Sequence, residues 1–146
     1  MISYHGTGNL VQVNGNLNKN GYLKILEESY LPQALLWDPS GEMKLLHDGA
    51  PCHKAKVITE FLIGSGIGIV DWPGNSPDLN QIENIWSMMK RKIYAKPLNS
   101  KSQLWNELKK VWSNESSTLE TIQNCIDSMP QRILDVIRAK GGHTKY

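Results

Sequence analysis

The sequence predicts an α/β fold that passes into a run of helices. Three observations predict it. Short strand-like runs alternate with helical periodicities in the first half of the chain. A strong amphipathic stripe then begins near residue 82. Beyond it, three capping-box patterns each announce a further helix. Strands that alternate with helices need crossover connections, and such sheets build sites at the carboxyl ends of their strands.

Each element has a local reason. Ile2-Ser3-Tyr4, the turn His5-Gly6-Thr7-Gly8 and residues 9–13 read as two short strands around a glycine turn, closed by Gly15 and Asn16. Tyr22, Leu23, Leu26 and Tyr30 follow helical spacing over residues 20–30, and Pro32 is expected to stop that helix. Residues 43–47 form a strand that ends at Asp48-Gly49. Val57, Ile58, Phe61 and Leu62 line one face of the next helix, with Gly64 as its stop. Ile67-Gly68-Ile69-Val70 is a buried-looking strand, followed by Trp72-Pro73 and the polar loop Gly74-Asn75-Ser76. Ser76 before Pro77 is expected to cap the following helix. Ile82, Ile85, Trp86, Met89 and Ile93 form its apolar stripe. Ser100 with Gln103, Ser117 with Glu120, and Ser128 with Gln131 open the last three helices. Their apolar faces carry Leu104, Trp105, Leu108, Val111 and Trp112, then Ile122, Cys125 and Ile126, then Ile133, Leu134 and Ile137.

A length of 146 residues is about one domain, and 40% apolar content with five Trp and five Tyr supports a buried core. The longest uncharged apolar stretch, residues 61–70, is interrupted by Gly and Ser and falls well short of the roughly 20 residues a membrane span needs. The opening residues show no secretory leader pattern, and two cysteines make no disulfide framework, so an intracellular, reduced protein is expected. Net charge is only +2, but it is unevenly spread. Residues 1–50 carry three basic and five acidic side chains, a balance of −2. Residues 86–110 carry Lys90, Arg91, Lys92, Lys96, Lys101, Lys109 and Lys110 against Glu107, a balance of +6. A basic segment beside Trp and Tyr suits contact with phosphates, and is equally what a solvated helix face looks like.

Asp48 ends a strand, and Glu83 lies early on a helix. Glu83, Ser87 and Lys90 share a face apart from the apolar stripe, so Glu83 is free to face the strand ends. Two hard carboxylates across a cleft suit Mg²⁺ or Mn²⁺. The pair alone is weak evidence, since Asp after a strand serves turns and Glu at a helix start serves the dipole. His47, Cys52 and His53 match zinc ligands by type, but no second ligand pair has finger-like spacing. Gly64-Ser65-Gly66-Ile67-Gly68 follows a helix and precedes a strand, the reverse of a dinucleotide loop. There is no phosphate-binding Gly-Lys-Ser/Thr loop and no nucleophile elbow. Asn114-Glu115-Ser116 fits a glycosylation pattern without a leader to support its use, and Cys125 reads as core.

Three motifs in order carry a resemblance that spans the chain. His47-Asp48-Gly49-Ala50-Pro51-Cys52-His53-Lys54-Ala55 resembles the second-aspartate motif of the mariner-superfamily DNA transposases. The run from Trp72 to Trp86, through Ser76-Pro77-Asp78-Leu79-Asn80-Gln81-Ile82-Glu83, resembles that superfamily's glutamate motif. Ala139-Lys140-Gly141-Gly142-His143-Thr144-Lys145-Tyr146 resembles the carboxyl end of its Tc-type branch. The resemblance implies a ribonuclease H-like catalytic domain followed by C-terminal helices. It implies an Asp, Asp, Glu triad holding two divalent ions, Mg²⁺ or Mn²⁺, for in-line phosphoryl displacement. Asp48 corresponds to the second carboxylate and Glu83 to the third. His53, Asp78 and Asn80 would hold these ligands in place rather than bind the ions. Lys90, Arg91, Lys92 and Lys96 would meet DNA, as transposon end or target. The implied setting is the nucleus, with no membrane.

Some positions depart from the pattern. Gly49 stands where the family commonly has Asn, which is expected to loosen local hydrogen bonding, and Gln81 replaces a frequent proline. The family's first catalytic aspartate lies on a strand upstream of the opening hairpin, and its paired helix-turn-helix domains lie further upstream still. Glu27, Glu28, Asp38 and Glu42 are the only acids before Asp48, and none sits on an early strand. Residues 1–146 are therefore expected to be a partial DDE catalytic domain, its sheet incomplete for want of the first, central strand. Such a sheet exposes sticky edges, so the chain should be marginal alone or re-pair its hairpin with the strand at 43–47. No cleavage or transfer of DNA is expected from this polypeptide. The alternative reading is a non-enzymatic module that binds DNA or associates with a full-length transposase. A third is an unrelated soluble α/β domain.

Overall fold

The computed structural model describes residues 1–73, 76–113 and 115–146, without the side chains of residues 115–117. The Gly74-Asn75 loop, the Asn114-Glu115-Ser116 pattern and the Ser117 side chain thus lie wholly or partly outside the described residues. The chain divides into two compact units. One is Met1–Leu10 with Ser76–Tyr146, and the other is Val11–Asn75.

The unit 11–75 begins with α1 (Lys19–Ile25), capped by Asn18, whose side chain accepts from the amides of Asn20 and Gly21. The helix does not stop before Pro32. It widens into a π segment, Leu26–Tyr30, and continues as α2 (Leu31–Trp37). A proline inside an α-helix lacks a donor and collides with the preceding turn, and the wider π turn relieves both faults. Strand β3 (Lys44–Leu45) precedes α3 (Lys56–Gly64), and β4 (Gly68–Ile69) follows it in parallel with β3. The helix is ended by Gly66 rather than Gly64. Gly66 has φ +72°, its amide donates to the Ile63 carbonyl, and the Ile67 amide donates to Leu62. That bond pair is a Schellman motif, whose left-handed residue carries no steric cost when it is glycine. Leu26, Tyr30, Ala34, Ile58 and Leu62 are buried, and a fully buried Leu or Ile contributes about 1.5–3 kcal/mol.

The other unit opens with a hairpin, β1 (Ile2–Ser3) and β2 (Gly6–Thr7), joined by Tyr4-His5. The second strand is thus two residues long, and residues 9–13 are not a strand. A short 3₁₀ turn, Pro77–Leu79, leads into α4 (Gln81–Tyr94), so Ser76 stands at the start of the turn and not of the helix, and its side chain makes no cap bond there. Next come α5 (Lys101–Trp112), α6 (Glu115–Asp127) and α7 (Met129–Arg138). The core is Ile85, Met88, Met89, Ile93, Val111, Trp112 and Ile122. Trp112 also ties the hairpin down: its Nε1 donates to the Gly8 carbonyl at 2.6 Å, and Thr7 Oγ1 donates to the Trp112 carbonyl at 3.3 Å.

Several expectations are corrected. The fold is helix-rich, and its described strands are two residues each, in two separate two-stranded sheets. The hairpin strands pair with each other, and β3 pairs with β4, so the re-pairing of the hairpin with residues 43–47 does not occur. Strand β4 is not buried, with Ile69 37% exposed. Trp86 is 45% exposed, because α4 turns Met88 inward in its place. On α7, Ile133, Leu134 and Ile137 are exposed while Arg132 is buried, so a charged side chain and not the apolar stripe faces inward. The Ser100 cap holds, accepting from the Gln103 amide at 3.1 Å, while Gln103 Oε1 accepts from the Asn99 amide at 2.8 Å. Helix α6 begins two residues before Ser117. Ser128 makes no cap bond, its hydroxyl donating instead to the Cys125 carbonyl at 2.7 Å.

Candidate active site

Asp48 lies three residues beyond β3, in an irregular segment that bends toward α3. Its Oδ1 accepts from the Ala50 amide at 3.0 Å, an Asx-type turn. The amides of His53 and Lys54 both donate to the Ala50 carbonyl, which closes the loop behind it. His53 Nδ1 lies 2.7 Å from Asp48 Oδ1 but is poorly aligned for a hydrogen bond, so the contact is an ion pair when His53 is protonated. The Ala50 amide, helped by His53 and opposed by partial burial, holds the Asp48 carboxyl below the usual carboxylate range. Asp48 is therefore ionised at neutral pH.

Behind it stands an aromatic wall. The His47 and His53 rings stack at 5.3 Å with 4° between planes, and the Tyr22 ring lies 4.2 Å from His53. Tyr22 Oη is 3.4 Å from His47 Nδ1. Burial first, then the charge of His53, lowers the His47 pKa, so His47 is a neutral packing group. Burial pushes the Tyr22 hydroxyl well up, so it is a donor and not a base. Stacked imidazoles do not converge on an ion, and among the described residues no group of three His, Cys, Asp or Glu is arranged to hold a metal. Gly49 leaves room that Lys54 fills: a Cβ there would stand 3.1 Å from Lys54 Nζ, the mobile end of a flexible side chain.

Glu83 lies in the first turn of α4, half-buried, in the other unit. Its amide donates to the Asn80 carbonyl at 3.1 Å. Asn80 sits at the cap position without a side-chain cap bond. Asp78 Oδ2 accepts from Thr144 Oγ1 at 2.9 Å, so Asp78 is engaged with the chain's tail. On α4, Lys90 and Arg91 are exposed, and Tyr94 beside them is 83% exposed. Lys92 is half-buried. Lys96 is engaged by Glu107, which also accepts from Lys110 at 2.8 Å. Lys110 and then Lys96 hold the Glu107 carboxyl at about 2, against its ordinary 4.5. A depressed folded pKa gives stability that is complete above pH 4.5 and is lost as pH falls from there toward 2. In an acid titration followed by circular dichroism, Glu107→Gln is expected to remove that component of the pH dependence.

The sequence reading missed Arg132, Thr144 and Tyr146. The available signals were an arginine on a helix otherwise read as apolar and the tail motif at residues 139–146.

Comparison with known proteins gives the class. A family described as "DDE superfamily endonuclease" matches residues 1–105, and the chain belongs to that family. It is similar to the transposases of particular mobile elements. The Tcb2 transposase of Caenorhabditis briggsae is 36% identical over 99 residues, covering 68% of this chain and 36% of that protein. The Tc1 transposase of Caenorhabditis elegans is 30% identical over 139 residues, covering 95% of this chain and 50% of that protein. The chain therefore spans about a third to a half of these relatives. Among solved structures, the Mos1 mariner transposase catalytic domain superposes with a TM-score of 0.78 at 19% identity, covering 94% of this chain and 69% of that one. A pre-cleavage Mos1 transpososome gives 0.82 at 18%, covering 99% of this chain and 44% of that one. The fold is that of the Mos1 catalytic domain.

Proposed function

We propose that this chain is the carboxyl-side part of a DNA-transposase catalytic domain, with Asp48 and Glu83 as the second and third carboxylates of a divalent-metal site. The observation that carries the reading is the Asp48 loop. A carboxylate that a backbone amide and a histidine hold ionised, inside a family-matched motif, suits a hard cation. Solved structures of the Mos1 catalytic domain hold Mn or Mg with raltegravir. When bound, such ions supply an activated water or 3′-hydroxyl and stabilise the leaving oxygen. The residues of this chain contribute oxygen ligands and their orientation: His53 steadies Asp48, and the turn through Asp78 and Asn80 sets the start of the Glu83 helix. Asp48 and Glu83 account for two of the three carboxylates that the resemblance implies, and residues 1–146 alone are expected to leave DNA uncut. A DNA partner is what supports a nuclear setting.

The exposed side of α4 supports a second role for the same chain, in binding DNA without chemistry or in joining a full-length transposase. Lys90 and Arg91 project beside Tyr94, which offers cations to phosphates and a ring to bases. Labelled duplex DNA, titrated at rising salt, tests both readings. Affinity should fall linearly in log salt. Lys90→Ala with Arg91→Ala should reduce the slope by about one per cation lost. Lys96→Ala should change it less, because Glu107 already occupies Lys96. Unchanged affinity in the Lys90/Arg91 variant would overturn the α4 interface. Nicking of a transposon end with Mg²⁺, lost on Glu83→Gln, would overturn the claim that the chain alone is inactive.

A further inference from the structure

We propose that Arg132 is a positioning residue for Glu83, and that the last residues of the chain clamp it in place. The inference rests on the reading of Glu83 as a metal ligand, and every contact in it lies within the unit containing residues 76–146.

Arg132 is 3% exposed. A guanidinium out of water is tolerated only where its N–H groups find acceptors. Its Nε donates to Ser128 Oγ at 2.8 Å. Its Nη1 donates to the Asp78 carbonyl at 3.0 Å and to Asn84 Oδ1 at 2.9 Å. Those last two acceptors bracket Glu83. Asp78 is in the 3₁₀ turn before α4, and Asn84 is the residue after Glu83. Helix α4 has no side-chain cap at Asn80, so the guanidinium fork, oriented by Nε on Ser128, holds both sides of its first turn through the single Nη1. Rotation of that turn about the helix axis would swing Glu83, and the fork opposes it.

The tail closes over this fork. Lys140 at φ 52° and Gly141 at φ 80° reverse the chain after α7. A Cβ at Gly142 would stand 3.0 Å from the Ala139 carbonyl oxygen, a tight contact that the backbone would have to relieve by a few tenths of an ångström. Thr144 then donates to Asp78 Oδ2 at 2.9 Å, and the Tyr146 ring covers the guanidinium with Cζ 4.4 Å from its centroid. Asp78 is thus gripped twice, its carbonyl by Arg132 and its carboxylate by Thr144.

The test uses the full chain and tail variants, since removing Arg132 itself risks unfolding. Amide exchange is read by NMR at residues 80–85 and at Val111 and Trp112 for comparison. Thr144→Val with Tyr146→Ala should speed exchange at residues 80–85 about tenfold while the comparison amides stay within about twofold, the pattern of local opening. It should also raise, several-fold, the Mn²⁺ concentration that half-broadens the Asn84 amide. Tyr146→Phe alone, which keeps the ring and leaves Thr144 intact, should hold both readouts at the wild-type level. Equal acceleration everywhere, no acceleration at residues 80–85, or unchanged Mn²⁺ response in the double variant would overturn the proposal. If wild-type Asn84 shows no Mn²⁺ broadening, the metal role of Glu83 fails instead, and the exchange data still judge the clamp.

Discussion

Replacing Trp112 with Ala is expected to destabilise the unit containing it by about 3–5 kcal/mol, the usual cost of removing a buried Trp. The indole sits in the core with Ile85, Ile122 and Met89, and it also ends the hydrogen bond to the Gly8 carbonyl. Its loss opens a cavity and removes one of the hairpin's ties, leaving the Thr7 bond to the backbone carbonyl of residue 112. Trp112→Phe fills most of the volume but leaves the Gly8 carbonyl without its donor, which costs about 1–3 kcal/mol. Urea unfolding followed by circular dichroism separates the two variants. A midpoint for Trp112→Ala within error of wild type would mean that the hairpin and the α5 end do not depend on this side chain.

Ile85→Ala is expected to cost about 2–5 kcal/mol, and Ile85→Val about 0.5–1.5 kcal/mol, by the volume each removes. Ile85 is fully buried and lies two residues after Glu83 on α4. Burial of Ile85, Met88, Met89 and Ile93 sets which side of the helix faces the core, and so sets the opposite side on which Lys90 is exposed. The alanine variant should therefore weaken DNA binding as well as stability. The measurement is the same urea series, with DNA affinity taken at a temperature where the variant remains folded. Equal stability of Ile85→Ala and wild type would show that α4 is not anchored through this residue.

Local chemistry was legible in part, since the Ser76 and Ser128 caps do not form, and tertiary choices were not legible. The Ser100 cap follows from side chains three residues apart, and it forms as expected. The α4 helix and its basic side follow from periodicity alone. Pro32 misled because a π turn absorbs it, a backbone solution that side-chain spacing does not encode. Trp86 misled because it and Met88 border the same stripe, and only packing against α5 and α6 decides which turns inward. On α7 the pattern of Ile133, Leu134 and Ile137 predicted a core face. The cost of leaving Arg132 unpartnered instead turned that residue toward Ser128, Asp78 and Asn84. At the site, Asp48 and Glu83 were legible as carboxylates in spaced motifs. The Tyr22 and His47 wall behind Asp48 was not, because Tyr22 comes from a helix distant in sequence.

The proposed divalent-metal site would take one ligand from Asp48 and one from Glu83. NMR of the whole chain during Mn²⁺ addition tests it, through broadening of the Ala50 amide beside Asp48 and the Asn84 amide beside Glu83. Both are expected to broaden over the same concentration range, and Asp48→Asn and Glu83→Gln are each expected to weaken the effect at both amides. Broadening at one amide alone, or a Glu83 response that survives unchanged in Asp48→Asn, would contradict it.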